Sequence, residues 1–251
     1  MAERNIRLLI QYEGTLYNGW QIQPEANTIQ GQLGEAIFKT TGINVNLLGA
    51  GRTDAGVHAL GQVANFRIDH RLEPERYADA LNYYLPEDIR VMLSEEVPYE
   101  FHSRFDARAR RYRYLMSSEP SAVYRNLRYH HRSAIDPERL RAAAELVIGE
   151  HDFSAFCVTA SRKENNTCKV TNSRWRLVGP LWVYEISGNR FLHSMVRSLV
   201  GAMLNLAAIK PDQNRLNLTL DTFSDIIIVP GEGRVPFTAP ACGLYLVKVI
   251  Y

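Results

Sequence analysis

Residues 49–66 read Gly49-Ala50-Gly51-Arg52-Thr53-Asp54-Ala55-Gly56-Val57-His58-Ala59-Leu60-Gly61-Gln62-Val63-Ala64-Asn65-Phe66. Glycines around an arginine, an aspartate and a histidine free the backbone for a tight loop and let a bulky ligand come close. From Leu60 to Ile68 apolar and polar residues alternate, the period of a strand. The loop fits two readings: a strand-to-strand turn with Asp54 bonded to its own backbone, or a ligand-binding loop. A phosphate cradle fits less well, because neither G-x-G-x-x-G nor a Gly-Lys-Ser/Thr ending is present and no helix start follows.

Working outward, alternation over Arg4 to Tyr12 predicts a strand. Asn27-x-x-Gln30, with Ile29, Leu33 and Ile37 on one face, predicts a capped helix ending near Gly42. Pro74 to Tyr84 reads as a helix with proline at its first position, and Ile89 to Val97 as a strand. The second part uses the same vocabulary. A strand is expected at Arg108 to Met116 and a helix from Asp136-Pro137-Glu138 to before Gly149. Strands follow at Ser173 to Leu177 and Leu181 to Ser187. Arg190 to Ile209 is the longest helical pattern, and Leu244 to Ile250 is a closing strand. Two α+β parts, residues 1–104 and 105–251, with clustered strands could merge their sheets and leave a cleft between them.

The chain has 251 residues, 46% of them hydrophobic, enough for one large domain or two packed ones. No apolar run reaches the roughly 18 residues a membrane span needs, and the N-terminus lacks the apolar core of a signal peptide. A cytoplasmic protein with no membrane attachment is expected. Cys157, Cys168 and Cys242 are far apart, with no C-x-x-C pair, and read as reduced structural thiols. The net charge of +2 hides an asymmetry: residues 1–104 carry 9 Lys and Arg against 14 Asp and Glu, and residues 105–251 carry 20 against 13. A polyanion would prefer the arginine-rich second part, although a solvated basic face is as good a reading of charge alone.

Phe101 to Leu115 (FHSRFDARARRYRYL) interleaves arginines with tyrosines. On a strand, Arg108, Arg110, Tyr112 and Tyr114 share one face, while Arg111 and Arg113 share the other with Leu115. Rings beside guanidinium groups suit an unstacked base and its phosphates. An edge strand with core tyrosines and aggregation-blocking arginines fits equally well. On the long helical pattern, Arg197 lies between apolar Val196 and Leu199, where an arginine ordinarily snorkels to solvent. His58 and His130-His131 lack metal-type spacing, so no metal site is expected.

These stretches resemble the TruA family of tRNA pseudouridine synthases. The resemblance is carried by YEGTLYNGWQIQPEANTIQGQL, GAGRTDAGVHALGQVANF, ARARRYRY, DFSAF, GNRFLHSMVRSLVG and the closing AP-AC-GLYLVKV, in the family's order from residue 12 to the C-terminus. The motif around Arg52 to His58 is the most specific. The resemblance implies an α+β pseudouridine-synthase fold, two subdomains sharing a central, mainly antiparallel sheet with the active site in the cleft between them. It also implies a homodimer acting on tRNA without a cofactor.

Residue by residue, the resemblance makes Asp54 the catalytic aspartate, Arg52 the group that helps displace the target base, Tyr112 the tyrosine that stacks on it and Arg197 the basic partner of the aspartate. Leu244 would line the pocket, and Arg108, Arg110, Arg111 and His58 are further substrate-binding candidates. The targets it implies are uridines at tRNA positions 38, 39 and 40, in the anticodon stem-loop. One departure is visible, Lys169-Val170 where an arginine-threonine pair is expected. The chemistry leaves open attack of Asp54 on C1′ or on C6 of the uracil, or its action as a base. A non-catalytic RNA-binding module is the alternative, but it has no need of the Arg-Thr-Asp-Ala-Gly loop.

Overall fold

A computed structural model of the chain describes residues 2–210, 217–229 and 233–251. It divides into two compact units, residues 1–108 with 245–251, and residues 109–244. The sequence reading places the last strand with the second part, whereas Tyr245–Tyr251 belongs to the first unit. The reason is strand pairing, given below.

In the first unit the elements are β1 (Arg4–Tyr12), α1 (Ile29–Thr41), β2 (Leu48–Gly49), β3 (His58–Ile68), α2 (Tyr77–Tyr84) and β4 (Ile89–Val97). β1 lies between β4 and β3, antiparallel to both, and β2 adds to β3. Alternation along β1 sends Ile6, Leu8, Ile10 and Tyr12 into the core. Each aliphatic side chain buried in this way contributes about 1.5 to 3 kcal/mol before entropy is counted. α1 buries Ile29, Leu33 and Ile37, as its spacing predicts, but its N-cap is Thr28 rather than Asn27. The Thr28 hydroxyl accepts from the Gly31 N–H, while the Asn27 side chain donates outward to the Leu16 carbonyl. Gly42, at φ 75°, ends the helix in the left-handed conformation. Pro74 opens a short 3-10 turn that runs into α2, so the helix proper begins at Tyr77.

The second unit holds β5 (Ala109–Ser117), β6 (Tyr129–His130), α3 (Pro137–Leu146), β7 (Gly149–Asp152), β8 (Thr167–Val178), β9 (Leu181–Gly188), α4 (Met195–Leu206) and α5 (Leu220–Ile228). β5, β9, β8 and β7 pair antiparallel in that order, and β6 joins β5 in parallel. One sheet face is aromatic: Tyr114 and Tyr184 are fully buried, and Trp175 stacks on Tyr184 and donates to Met203 of α4. Asp136 caps α3 through the amides of Glu138 and Arg139, and Pro137 stands at its first position. The helix expected from Arg190 starts five residues later, because Ser194 takes φ 60° and Arg190 folds back onto the carbonyls of Thr167 and Asn165. α5, which the sequence reading does not place, is capped by Thr219 and Thr222 and buries Phe223 against Phe156.

The last strand, β10 (Leu244–Ile250), completes the first unit. Tyr245 and Leu246 pair in parallel with His58 and Ala59 of β3. Gly61 permits this, since a Cβ there would lie 2.5 Å from the Val247 carbonyl oxygen. Among the described residues no helix is long and apolar enough to cross a membrane, and no group of three or more His, Cys, Asp and Glu is placed to hold a metal ion. All three cysteines are free thiols.

Candidate active site

The loop from Gly49 to His58 is held from both sides. Upstream, the Ala50 N–H donates to Val63, and the Gln62 side chain donates to the Gly51 carbonyl at 2.8 Å. Gly49 sits against the Trp20 indole, where an added Cβ would meet ring atoms at 2.6 Å. Thr53 is buried; its hydroxyl lies 2.8 Å from the Tyr12 hydroxyl and its carbonyl accepts the Trp20 N–H at 3.1 Å. Gly19, at φ 90°, makes that approach possible, because a Cβ there would stand 2.5 Å from the Thr53 oxygen.

With Thr53 fixed on its side chain and its carbonyl, Asp54 begins a tight turn closed by the Val57 N–H donating to the Asp54 carbonyl at 3.1 Å, with Gly56 at φ 74°. Asp54 is half-buried, while Arg52 and Ala55 on either side are exposed. A carboxylate at the bend of a braced loop, with an arginine two residues away in solvent, can meet a substrate without rearranging its own backbone. The turn of the first reading is therefore present, and Asp54 stands half-buried at its start.

His58 is buried to 1% exposure. Its Nδ1 accepts from the Gly14 N–H at 2.9 Å, which places the ring proton of the neutral form on Nε2, and its ring lies 4.7 Å from that of Tyr245. The first contact ties the start of β3 to Gly14 and the second to β10.

In the second unit the tyrosine-arginine strand alternates as its sequence predicts. Tyr112 is buried and meets Phe191 edge to face at 5.2 Å. Arg110, on the same face, is also buried and donates to the Asn189 carbonyl at 2.8 Å. Arg108 and Arg111 are exposed. Asn189 is the hub of this region: its side-chain oxygen accepts from the Lys169 and Arg190 amides, and its own N–H donates to the Lys169 carbonyl. Lys169, at the departure noted above, is an exposed strand residue paired with Glu150, and Val170 is buried.

Arg197 does not simply reach for solvent. It is half-buried and its Nε donates to the Ala239 carbonyl at 2.8 Å, while the Ala239 N–H returns to the Arg197 carbonyl. Gly201, one turn later on α4, leaves room for the segment Phe237–Ala239, whose backbone atoms would come within 3.1 Å of an added Cβ. Leu244, at the end of this unit, is buried after Gly243, which packs on the Tyr114 ring. DFSAF is built as core: Phe153 and Phe156 are fully buried, and Asp152 caps the short turn through the Ser154 amide.

Tyr12, Gly19 and Trp20 brace the loop in a way the sequence reading does not assign, although they lie in the YEGTLYNGW stretch that carries the resemblance. Two glycines among three bulky aromatic residues are the available signal of close backbone packing.

The family model described as tRNA pseudouridine synthase matches residues 8–106 and 143–251. The tRNA pseudouridine synthase A of Acetivibrio thermocellus is 41% identical over 99% of this chain and 100% of its own length. That of Chlorobium luteolum is 41% identical over 99% of this chain and 96% of its own, and that of Caldicellulosiruptor bescii 38% identical over 99% and 100%. The mixed α+β architecture with mainly antiparallel strands is this family's fold. By matching both the family model and full-length relatives, the chain belongs to the tRNA pseudouridine synthase family and is an isomerase of that class.

Proposed function

We propose that the protein isomerises uridine to pseudouridine at positions 38, 39 and 40 of the tRNA anticodon stem-loop, with Asp54 as the catalytic nucleophile. The observation that carries the reading is the Arg52–Gly56 turn, whose Thr53 is locked at both its hydroxyl and its carbonyl while Asp54 stands half-exposed at the bend.

The reaction breaks the N1–C1′ bond, rotates the uracil and joins C5 to C1′; C5 loses a proton and N1 gains one, so no redox partner or cofactor is consumed. The base must first leave the stack, which costs a few kcal/mol. Arg52, exposed beside the turn, is the group we assign to displacing it, and Tyr112 the group that stacks on the uracil once it is out. We give Arg197 the role of counter-charge to Asp54, supported by its half-buried, backbone-tethered guanidinium. The ionised carboxylate attacks C1′, or alternatively C6, as carboxylates attack sugars in retaining glycosidases. Leu244 offers an apolar wall, and the exposed Arg108 and Arg111 supply RNA contacts, while the buried Arg110, also a substrate-binding candidate, acts from its place on the Asn189 carbonyl. His58, buried on Gly14, serves the substrate by holding the start of β3.

We infer that the working enzyme is a cytoplasmic homodimer, because an elongated tRNA is better gripped by two copies of a basic surface. A monomer at working concentration with full turnover would overturn that assignment.

The test is tritium release from C5-labelled uridine in mapped tRNA. Wild-type protein is expected to release label from positions 38 to 40, and Asp54→Asn to release none while still binding tRNA, because the Asn variant keeps shape and polarity but lacks the charge every route uses. Multiple turnover by Asp54→Asn, with deamidation excluded, would sink the nucleophile assignment.

A further inference from the structure

We infer that Tyr17 and Asp88 form a positioning brace for the Asp54 turn, so that a hydrogen bond outside the reacting groups sets the rate of uridine isomerisation. The inference rests on the proposed function and deepens it by adding two residues to the same site.

The geometry is a chain of contacts. The Gly56 N–H, in the Asp54 turn, donates to the Tyr17 carbonyl at 3.3 Å. Tyr17 is 5% exposed, and its hydroxyl donates to Asp88 Oδ1 at 2.5 Å. Asp88 stands just before β4, and its own carbonyl accepts the Glu13 N–H at 2.9 Å. Asp88 thus grips residues 13–17 at both ends, by backbone at Glu13 and by side chain at Tyr17. Within that segment the Tyr17 N–H donates to the Gly14 carbonyl, closing a turn.

This clamped turn presses on the catalytic loop at a second point. A Cβ on Gly14 would lie 2.0 Å from the Val57 carbonyl oxygen, so the two backbones are in direct contact. Gly14 also donates to His58 Nδ1. The downstream half of the Asp54 turn, Gly56 to His58, therefore rests on residues 14–17, as its upstream half rests on Tyr12 and Trp20. The downstream support includes one polar side-chain pair, the Tyr17 hydroxyl on Asp88 Oδ1. Burial first, then the hydrogen bond to Asp88, pushes the Tyr17 phenol well above its usual value, so it remains a donor across the working pH range. A turn left free to shift moves its carboxylate relative to the bound sugar, and misplacement by about 1 Å can cost a hundredfold in rate.

The experiment compares Tyr17→Phe, Asp88→Ala, the double variant and Asp88→Asn in full-length protein. Expected is a fall in single-turnover tritium release of about tenfold to a hundredfold in Tyr17→Phe and in Asp88→Ala. The double variant is expected to be no slower than either single variant, with tRNA affinity within about twofold of wild type. Asp88→Asn, whose Oδ1 still accepts the phenol proton, should recover most of the rate lost in Asp88→Ala. Hydrogen exchange should quicken at the Gly56 and Val57 amides in the slow variants and stay unchanged in β8 and β9. Unchanged rate per folded molecule in Tyr17→Phe, or independent and additive losses in the double variant, would overturn the brace. If wild-type protein releases no tritium, the functional reading fails by itself. The exchange measurement still decides the brace, which falls if Gly56 and Val57 stay protected in Tyr17→Phe.

Discussion

Among single residues, Tyr112 on the tyrosine-arginine strand is closely defined by its neighbours. Its ring is buried on the edge of Phe191, its neighbours Arg110 and Asn189 are joined by a hydrogen bond, and its strand position is fixed by pairing with Ile186. The ring is thus held in place, and on the proposed function a base stacking on it would cost little ordering. Tyr112→Phe is expected to keep the affinity for the displaced base, whereas Tyr112→Ala should lose about 1 to 3 kcal/mol of it. Fluorescence of a 2-aminopurine placed beside the target uridine would report the displaced state. If Phe proves as inactive in turnover as Ala while displacing the base normally, the hydroxyl carries the chemistry and the ring alone does not.

At the scale of elements, the sheet of the second unit carries charge on the face opposite its aromatic core. Glu185 of β9 is buried and accepts from Arg113 of β5 at 3.1 Å and from Arg174 and Arg176 of β8 at 2.9 and 2.7 Å. Burial by itself would raise this carboxyl, but the hydrogen bonds from Arg174 and Arg113 and the charge of Arg176 outweigh it and hold it below the usual glutamate value. A depressed carboxyl contributes stability above its unfolded value and loses it as pH falls through the folded one, so the contribution fades below about pH 4. Glu185→Gln should cost about 1 to 3 kcal/mol at neutral pH, leaving three arginines to repel one another. The cost stays below that of an enclosed ion pair, because these arginines keep 37%, 55% and 48% of their side-chain surface exposed. Denaturant melts of wild type and variant should converge as pH is lowered below about 4. A gap that persists in acid would mean the carboxylate charge is not the source.

β1, β4 and β10 have the bounds the sequence predicts, and for β1 the reason is plain alternation, with Ile6, Leu8, Ile10 and Tyr12 buried on one face. The N-terminus of α4 was not legible, since Arg190, Phe191 and Leu192 have helical spacing but serve long-range contacts that spacing does not encode. The tether of Arg197 is not legible for the same reason: its acceptor, Ala239, lies 42 residues away. The Asp54 loop was legible as a motif, but its bracing by Tyr12, Trp20 and Gly19 depends on contacts made only in the folded chain.

Across the whole molecule the charge is unevenly divided, with residues 1–104 carrying 9 basic against 14 acidic side chains and residues 105–251 carrying 20 against 13. A polyanionic substrate approaching such a chain is drawn to the second part, and neutralised phosphates release counterions, so tRNA binding should weaken steeply with salt. The structure separates the arginines that can supply this attraction. Arg111 is exposed and points away from the aromatic face, whereas Arg110 is buried and bonded to the Asn189 carbonyl. Arg111→Ala is therefore expected to leave the melting temperature unchanged and to reduce the slope of log affinity against log salt by about 1, the signature of one lost phosphate contact. Arg110→Ala should instead lower the melting temperature, because it removes a buried side chain whose guanidinium is bonded to the Asn189 carbonyl, and so loosens the Asn189 hub. Filter binding of tRNA across a salt series, with thermal melting of each variant, separates the two cases. If Arg111→Ala binds with an unchanged salt slope, the exposed face of β5 does not meet the RNA backbone, and the attraction must come from other arginines of the basic part.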